Sequence, residues 1–265
     1  DHLDLHSFPT RRSSDLRYAE IRSRPAYKPE GVTVDRPAAE AALAAASSGW
    51  LDAEAANALL EAYGIPTVRP RLAVTAEQAA ALADEMGYPL VLKLASPDIS
   101  HKSDVGGVLL NLRDAAAVRA GFGAVLERAQ KARPDARLEG VHLQRMVPNG
   151  QEVIVGVVQD LQFGPLVMFG SGGVEVEGLK DVAFALAPLS LAEAEGLLEK
   201  TWAGRKLKGF RNLPPADRQA VLQVLVRLAQ LALENPQVLE IEINPLRVLS
   251  TQQGAFALDA RARLC

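Results

Sequence analysis

PLVLKLASPDISHKSDVGGVLLNL, residues 89–112, is the most informative stretch of the chain. It contains two short apolar runs, Pro89–Ala95 and Val108–Leu112, bounded by Pro, Ser, Asp and Gly. Runs of this length with these boundaries predict two strands rather than a helix. Lys93 interrupts the first strand, and a charge inside a buried strand is costly unless an anion meets it. The sequence therefore predicts an anion beside this strand.

The loop between the two strands carries groups that suit a polyphosphate. Gly106 and Gly107 are expected to leave their backbone N–H groups unencumbered, and Lys102 adds a second cation near Lys93. The same loop contains one histidine, His101. We therefore predict a nucleotide site here, and this hypothesis guides the interpretation of the remaining sequence.

The composition argues against several classes of protein. With 265 residues, of which 48% are apolar, the chain is long enough to form two subdomains. A formal net charge of −3 without a basic tract argues against a nucleic-acid partner. No apolar run approaches the roughly 20 residues of a membrane span and no secretory signal is visible, so we expect a cytoplasmic protein without a membrane partner. The single cysteine, Cys265, excludes an intramolecular disulfide.

The chain divides into four predicted segments. Residues 1–16 have no periodicity and are excluded from function as an artefactual or disordered tail, although they hold two of the four histidines. Residues 17–48 read as a charged linker, punctuated by proline, and a short helix. Residues 49–138 are expected to form a first subdomain around the His101 loop, and residues 139–265 a second subdomain with a metal site.

Periodicity predicts the elements inside these segments. Helices are expected where apolar residues recur at helical spacing near a cap residue or a glycine, at 35–48, 50–63, 76–86, 114–133, 190–200 and 214–234. Strands are expected at 65–74, then at 141–148, 149–160 and 163–173 as an antiparallel meander, and finally at 238–249 and 254–264. This mixture predicts an α+β fold.

The end of the chain suggests a metal site. In LEIEINPL, residues 239–246, strand alternation places Glu240, Glu242 and Asn244 on one face. Asp259, on the following strand, could converge with that face. Oxygen ligands of this kind suit Mg²⁺ that also holds phosphate oxygens. A solvated edge strand with scattered acids is the alternative, and the spacing alone leaves it open.

Several motifs in order resemble one family. They are Lys93 in its strand, SPDISHKSDVGGV, LQRMVPNGQE, FGPLVMFGSGGVEVE, IEINPL and LDARARL, and they extend over roughly Trp50 to Leu264. Together they are similar to the ATP-grasp portion of ADP-forming acetate/acyl–CoA ligases, which are relatives of the succinate–CoA ligase β subunit. The resemblance implies an ATP-grasp fold, with two α/β subdomains and the nucleotide bound between them.

The resemblance also implies roles for individual residues. His101 matches the histidine that the family phosphorylates at nitrogen to relay a phosphoryl group, and a neutral imidazole is a suitable nucleophile near pH 7. Lys93 matches the lysine that meets the nucleotide phosphates. Asn244 and Asp259 match Mg²⁺ ligands, with Glu242 as an additional or outer ligand. The implied cofactors are therefore ATP/ADP and Mg²⁺.

The hinge between the subdomains is implied to contact the base. Gln144, Met146 and Val147 would offer backbone groups to adenine, with Glu152 as a nearby ribose or adenine contact. The alternative for Met146 is a simple core residue.

Four further positions carry less weight. Glu175, Glu177 and Asp181 resemble the acidic segment after the family's Gly-rich turn, but the sequence does not assign them a partner. Arg211 resembles a family arginine that is usually followed by glycine, and this chain departs from that pattern with Asn212.

The implied activity is that of an acid–thiol ligase, in which this chain is the ATP-binding phosphoryl-transfer module. No G-x-G-x-x-G turn opens a βαβ unit, so CoA-binding and ligase domains are expected on the same full-length chain or on an α-type subunit. The start YAEIRSRPAYKPEGV, residues 18–32, resembles the junction in fused proteins, some of which continue into a GNAT-type acetyltransferase. We therefore expect one part of a longer enzyme.

Two other functions stay open at this point. One is a regulatory nucleotide- or acyl-CoA-sensing domain of a protein acetyltransferase, and the other is a carboxylate–amine ligase that works through a free acyl phosphate. Neither needs a nucleophilic histidine in the loop. His101 in its HKSD-VGG context therefore favours the acyl-CoA ligase, whose acyl substrate the sequence does not determine.

Overall fold

The computed structural model describes residues 33–46, 49–99, 102–172 and 181–265. In chain order the elements are α1 (Arg36–Ala44), α2 (Ala53–Ala62), β1 (Arg71–Ala73), α3 (Ala76–Met86), β2 (Leu90–Ala95), β3 (Val108–Leu112), α4 (Ala115–Ala132), β4 (Gly140–Arg145), β5 (Gln151–Asp160), β6 (Gly164–Ser171), β7 (Val182–Leu186), α5 (Leu191–Glu199), α6 (Trp202–Lys206), α7 (Arg218–Glu234), β8 (Val238–Val248), β9 (Ala255–Ala257) and β10 (Ala260–Leu264). These elements form two antiparallel sheets with helices packed on them, which confirms the predicted α+β class.

Each described helix begins at a side chain that accepts a backbone N–H three residues further on. This pattern satisfies one of the N–H groups that the first turn of a helix leaves without a partner. The capping residues are Asp35, Asp52, Thr75, Asp114, Ser190, Thr201 and Asp217. The six predicted helices are all present; α3 has the predicted bounds and the other five are shorter than predicted, whereas α6 and β7 were not predicted.

The smaller sheet has the strand order β1-β4-β2-β3. Leu92 lies opposite Leu143 and Leu94 opposite Val141, and these side chains face α3 and α4. The residues that form the core between this sheet and its two helices are apolar, and the central strands β2 and β4 supply aliphatic residues to it at every second position. The other face of the sheet is left to carry polar groups.

The larger sheet has the strand order β10-β8-β5-β6-β7, and β9 pairs with β8. Its buried face carries Val153, Val155 and Val157 from β5 beside Ile241 and Ile243 from β8. The helix α7 covers this face with an apolar stripe predicted from the sequence, namely Val221, Leu222, Val224, Leu225, Leu228, Leu231 and Ala232.

Two predictions about the division of the chain are wrong. The predicted meander holds for β5 and β6, but residues 141–148 do not join it, because β4 lies between β1 and β2 in the smaller sheet. The change of sheet therefore falls between Arg145 and Gln151 instead of at 138/139. Hydrophobic alternation predicts a strand and its buried face, but it does not determine which other strand pairs with it.

The helix α2 also lies elsewhere than expected. Its residues Leu59 and Leu60 pack in the larger core, and Leu51 donates its backbone N–H to the carbonyl of Ala262 at 2.9 Å. The larger core is thus built from both ends of the described chain, and in sequence the strands of the smaller sheet lie between these two parts. The predicted strand at 65–74 is reduced to β1 and a bridge from Thr67 to Ala257. Within the described ranges, no helix is both long and apolar enough to cross a bilayer.

Candidate functional site

The polar face of the smaller sheet carries three residues in register. Lys93 on β2 lies opposite His142 on β4, and Val91 lies opposite Gln144. Because side chains at every second position share a face, Lys93, His142 and Gln144 all point away from the apolar core. The strand alternation that buries Leu92 and Leu94 therefore also places these three polar side chains together on the opposite face of the sheet.

Lys93 and Gln144 contact the segment between β9 and β10 at the carbonyl of Leu258, which the strand pairing leaves without its usual donor. Leu258 donates its N–H to the oxygen of Pro245 at 3.1 Å, but a proline has no N–H to return. Lys93 Nζ donates to the Leu258 oxygen at 2.8 Å and Gln144 Nε2 donates to it at 3.2 Å. Gln144 Nε2 also donates to the carbonyl of Val68 at 2.6 Å. The proline in IEINPL thus creates an acceptor that holds the two sheets together.

Asp259, the residue after Leu258, forms an ion pair with Lys102 in the loop between β2 and β3. Lys102 Nζ lies 2.9 Å from Asp259 Oδ2, and the two side chains are 17% and 31% exposed. Burial on its own would raise the pKa of Asp259, but Lys102 and Lys93 outweigh burial and hold that pKa below its ordinary value. The site therefore contains a carboxylate that stays charged at neutral pH.

The cations beside Asp259 are strongly affected by burial. Burial lowers the pKa of Lys93 to about 8, and Asp259 offsets this effect only in part. Burial, together with the positive charges of Lys102 and Lys93, lowers the pKa of His142 to about 4. At neutral pH the site therefore holds a neutral imidazole and a lysine that is easily deprotonated, and an arriving anion would stabilise the charged form of that lysine.

The described residues fit a magnesium ion only if a ligand supplies further oxygens. Glu242 and Asn244 share one face of β8, Asn244 forms a hydrogen bond with Glu242, and the charge of Asp259 is felt at Glu242. Burial raises the pKa of Glu242, against the opposing effect of Arg261. Within the described part of the chain, no group of three or more His, Cys, Asp or Glu residues could hold a metal ion. Mg²⁺ usually needs just one or two carboxylates when phosphates and water complete its shell, so this donor set suits a metal–nucleotide complex.

The expectation that Gly106 and Gly107 present unencumbered N–H groups is wrong. Gly106 donates to the carbonyl of Ser103 at 3.0 Å and Gly107 donates to that of Lys102 at 2.7 Å. Both donors are thus used inside the turn of residues 102–107. The glycines are needed for another reason, since Gly106 has a φ of +64° and a Cβ on Gly107 would lie 2.7 Å from the Lys102 oxygen. In this conformation the N–H groups of Gly106 and Gly107 are therefore not available to phosphate.

The predicted hinge lies between the two sheets. Met146 and Val147 follow β4 directly, are half-buried, and precede β5 of the other sheet. The backbone N–H of Met146 donates to the carbonyl of Pro89 at 3.3 Å. Glu152 on β5 forms an ion pair with Arg247, which lies opposite it on β8. Contacts from these residues to a nucleotide base or ribose stay predictions.

Two of the weaker candidates have clear structural partners. Asp181 accepts hydrogen bonds from the backbone N–H groups of Trp202 and Ala203 at 2.7 and 2.8 Å and from Ser171 Oγ at 2.8 Å. It therefore binds the start of α6. Arg211 lies in a turn with a φ of +51°, and its guanidinium is 5.1 Å from the centre of the Phe210 ring. His101, Glu175 and Glu177 lie outside the described residues.

Sequence analysis missed His142. Its strand had been assigned to the wrong sheet, so its position opposite Lys93 could not be deduced. The available signal was its spacing, because His142 precedes Gln144 by two residues and so shares its face of the strand.

Comparisons with a family model and with known proteins show which proteins this chain is similar to. A family model described as an ATP-grasp domain matches residues 41–264. The chain is 41% identical over 248 residues to the ADP-forming acetate–CoA ligase I of Archaeoglobus fulgidus, which covers 92% of this chain and 36% of that protein. It is 42% identical over 206 residues to the β subunit of the ADP-forming acetate–CoA ligase I of Pyrococcus furiosus, which covers 78% of this chain and 88% of the subunit. The chain thus spans about a third of the single-chain relative but most of the separate β subunit.

Solved structures agree with this relationship. An acetyl-coenzyme A synthetase 1 chain from Ca. Korarchaeum cryptofilum, in complex with coenzyme A and Ca-AMPCP, superposes with a TM-score of 0.79 and 38% identity, and the match covers 85% of this chain and 99% of that one. A second structure of that synthetase, with Mg-AMPPCP and a phosphohistidine segment that points towards the nucleotide-binding site, has a TM-score of 0.72 and 36% identity over 87% of this chain and 100% of that one.

Proposed function

The chain belongs to the ATP-grasp domain family, and we propose that it is the ATP-binding phosphoryl-transfer module of an ADP-forming acyl-CoA ligase, of the acetate–CoA ligase type. The observation that carries this proposal is the convergence of Lys93, Lys102 and Asp259 where the two sheets meet, with Glu242 and Asn244 on the adjoining face. Cations for phosphate and oxygen ligands for a metal are thereby collected in one place.

The charges of the site suit a nucleotide polyphosphate. Burial makes the charged form of Lys93 costly, so phosphate oxygens beside its ammonium would stabilise that charged form and would themselves be bound more tightly. Asp259, with Asn244 and Glu242 nearby, would hold Mg²⁺, which when bound neutralises the β- and γ-phosphate oxygens. Gln144 already donates to the carbonyl of Leu258, so it would keep the two sheets aligned while Lys93 turns to the phosphates.

His101 is proposed as the phosphoryl acceptor. A ring nitrogen of its neutral imidazole would attack the γ-phosphorus, the bond to the β–γ bridging oxygen would break, and ADP would leave with that electron pair. The resulting N–P bond keeps the phosphoryl group ready for transfer to a second histidine on the CoA-binding part of the enzyme. Support for this role comes from the sequence context of His101 and from the phosphohistidine segment that a solved relative is described as having.

The remaining partners follow from the relatives. Because the single-chain relative is almost three times as long as the matched region, we propose that CoA-binding and ligase domains act with this module, on the same full-length chain or on an α-type subunit. The named relatives are ligases, which favours this function over a regulatory sensor domain. A GNAT-type domain beyond the C-terminus stays a sequence-based prediction.

The proposal is tested by labelling the chain with ATP that carries ³²P at the γ-phosphate, in the presence of Mg²⁺. We compare the wild type with His101→Asn and, as a matched control, with His6→Asn from the excluded tail. The expected result is an acid-labile, alkali-stable label in the wild type and in His6→Asn but not in His101→Asn. A label that persists in His101→Asn contradicts the assignment of His101, and a nucleotide-binding wild type that stays unlabelled contradicts the relay.

A further inference from the structure

The ion pair between Lys102 and Asp259 connects two parts of the fold that are far apart in sequence. Lys102 opens the turn of residues 102–107 that leads into β3 of the smaller sheet, whereas Asp259 lies between β9 and β10 of the larger one. Their charged atoms are 2.9 Å apart, and both side chains are largely shielded from water. The pair is therefore less weakened by solvent than a surface ion pair is.

The backbone of Lys102 is fixed to the smaller sheet. Its carbonyl accepts the N–H of Gly107 at 2.7 Å, and the carbonyl of Gly107 accepts the N–H of Leu94 on β2 at 2.7 Å. On the preceding side, Ile99 is buried in the smaller core. The turn is thus anchored to its own sheet through Gly107, and the Lys102 side chain adds an attachment to the opposite sheet.

The ammonium of Lys102 lies where a metal at Asp259 would experience it most strongly. A Mg²⁺ ion binds a carboxylate oxygen at about 2.0–2.1 Å, so an ammonium 2.9 Å from the same oxygen would be a neighbouring like charge. Lys93 is already close to this carboxylate and donates to the adjacent carbonyl of Leu258. A divalent cation is therefore expected to displace one of the two lysines, and Lys102 is the one bonded to the carboxylate itself.

We propose that Lys102 is a positioning residue that substitutes for the metal: its ammonium neutralises Asp259 in the metal-free protein and holds the 102–107 turn against the larger sheet, until a Mg²⁺–polyphosphate displaces it. Metal loading and release of the turn are then one event, and the freed ammonium becomes available to the phosphates. The inference rests on the proposed function only in that the metal binds at Asp259. The ion pair of the metal-free state stands independently of it.

Hydrogen exchange followed by mass spectrometry tests the metal-free half of the proposal. The reporter is the peptide that contains Gly106 and Gly107, whose N–H groups are hydrogen-bonded inside the turn. Without metal, we expect this peptide to exchange at least about threefold faster in Lys102→Met and in Asp259→Asn than in the wild type. The double variant should exchange no faster than either single variant, since both changes remove the same contact. The matched control is the exposed Lys131→Met, which should not differ from the wild type. Equal exchange in the wild type and Lys102→Met overturns the proposal.

Adding Mg²⁺ with AMPPCP, a non-hydrolysable ATP analogue, tests the displacement. The wild-type peptide should then exchange as fast as that of Lys102→Met, whereas a lysine with a merely structural role would show no response to metal. Mn²⁺ titrated alone and followed by electron paramagnetic resonance should bind Lys102→Met at least about threefold more tightly than Lys131→Met. Unchanged or slower exchange in a wild type that calorimetry shows to be nucleotide-bound overturns the proposal.

The same experiments separate this proposal from the proposed function. If calorimetry detects no nucleotide binding by the wild type, the proposed function fails. The role of Lys102 is then judged from the metal-free exchange rates and from the Mn²⁺ titration alone, and unchanged Mn²⁺ affinity in Lys102→Met overturns it.

Discussion

Replacing Lys93 with methionine should remove nucleotide binding without destabilising the fold. Lys93 extends from a strand whose neighbouring residues, Leu92 and Leu94, are fully buried, and its ammonium donates a hydrogen bond to the carbonyl of Leu258. Methionine has a similar length and shape but no charge. The substitution therefore separates the cost of burying the ammonium from its proposed use as a phosphate ligand.

The magnitude follows from the pKa of Lys93. Burial lowers this pKa from 10.5 to about 8. At about 1.4 kcal/mol for each pKa unit, the fold disfavours the charged form by about 3 kcal/mol relative to the neutral form. Methionine removes this cost but also removes the hydrogen bond from Nζ to Leu258, which is worth about 1.5–3 kcal/mol for a charged donor. The acceptor keeps its bond from Gln144. We therefore expect the free energy of unfolding at pH 7 to be unchanged or higher by up to about 2 kcal/mol.

Urea denaturation at several pH values measures this effect. An unfolded lysine keeps its proton to about pH 10.5, whereas folded Lys93 releases its proton above about pH 8. Between these values the unfolded state binds more protons, so the free energy of unfolding of the wild type should rise with pH more steeply than that of Lys93→Met. The control, Lys131→Met at an exposed position of α4, should stay within about 0.5 kcal/mol of the wild type. A Lys93→Met protein less stable than the wild type by more than about 1 kcal/mol would refute this reasoning.

Three further predictions concern stability. His142→Leu should flatten the pH dependence of the free energy of unfolding between pH 6.5 and 4. Burial lowers the pKa of His142 to about 4, so the wild type loses up to about 3 kcal/mol of stability as its unfolded state takes up the proton. Parallel pH profiles for the wild type and the variant in urea titrations would contradict this. Asp181→Ala should lower the free energy of unfolding by about 1–3 kcal/mol, since it leaves the N–H groups of Trp202 and Ala203 without their acceptor. The difference from the wild type should shrink in acid, because Asp181, whose pKa is lowered, takes up its proton there. A change below about 0.5 kcal/mol in thermal denaturation would refute the role of Asp181 at the start of α6. Gly107→Ala should destabilise the protein by about 1 kcal/mol or more, because the new Cβ would lie 2.7 Å from the Lys102 carbonyl oxygen. Gly123→Ala, whose Cβ would have no atom within 4 Å, should stabilise the protein by about 0.5–1 kcal/mol. Equal effects of the two substitutions in chemical denaturation would contradict the close approach at Gly107.

Local sequence patterns predicted the elements well because they depend on nearby residues. The cap at Thr75, the left-handed glycine at Gly64 and the apolar stripe of α7 all follow from short-range chemistry. The pairing of β4 does not, because Leu143 and Val141 could have buried the same surface in either sheet. Only the long-range contact with Leu92 and Leu94 distinguishes the two possibilities.

The candidate site shows the same division. Lys93, Asp259, Asn244 and Glu242 were predicted as site residues from residue type and strand position. In the structure Asp259 interacts electrostatically with Lys93 and with Glu242, and Asn244 forms a hydrogen bond with Glu242. The acceptor at Leu258 could not be foreseen, since it depends on which residue lies opposite Pro245. The use of the Gly106 and Gly107 donors inside their own turn likewise depends on loop conformation, which residue type alone leaves undetermined.

The most direct test of the central claim is calorimetric titration of the chain with AMPPCP, with and without Mg²⁺. A metal–nucleotide site where the two sheets meet predicts binding that weakens at least about tenfold when Mg²⁺ is chelated, and an equal or greater loss in Lys93→Met and in Asp259→Asn. The controls Lys131→Met and His6→Asn should bind as the wild type does. Affinity that is the same in the wild type and both site variants, or indifferent to Mg²⁺, would contradict the account.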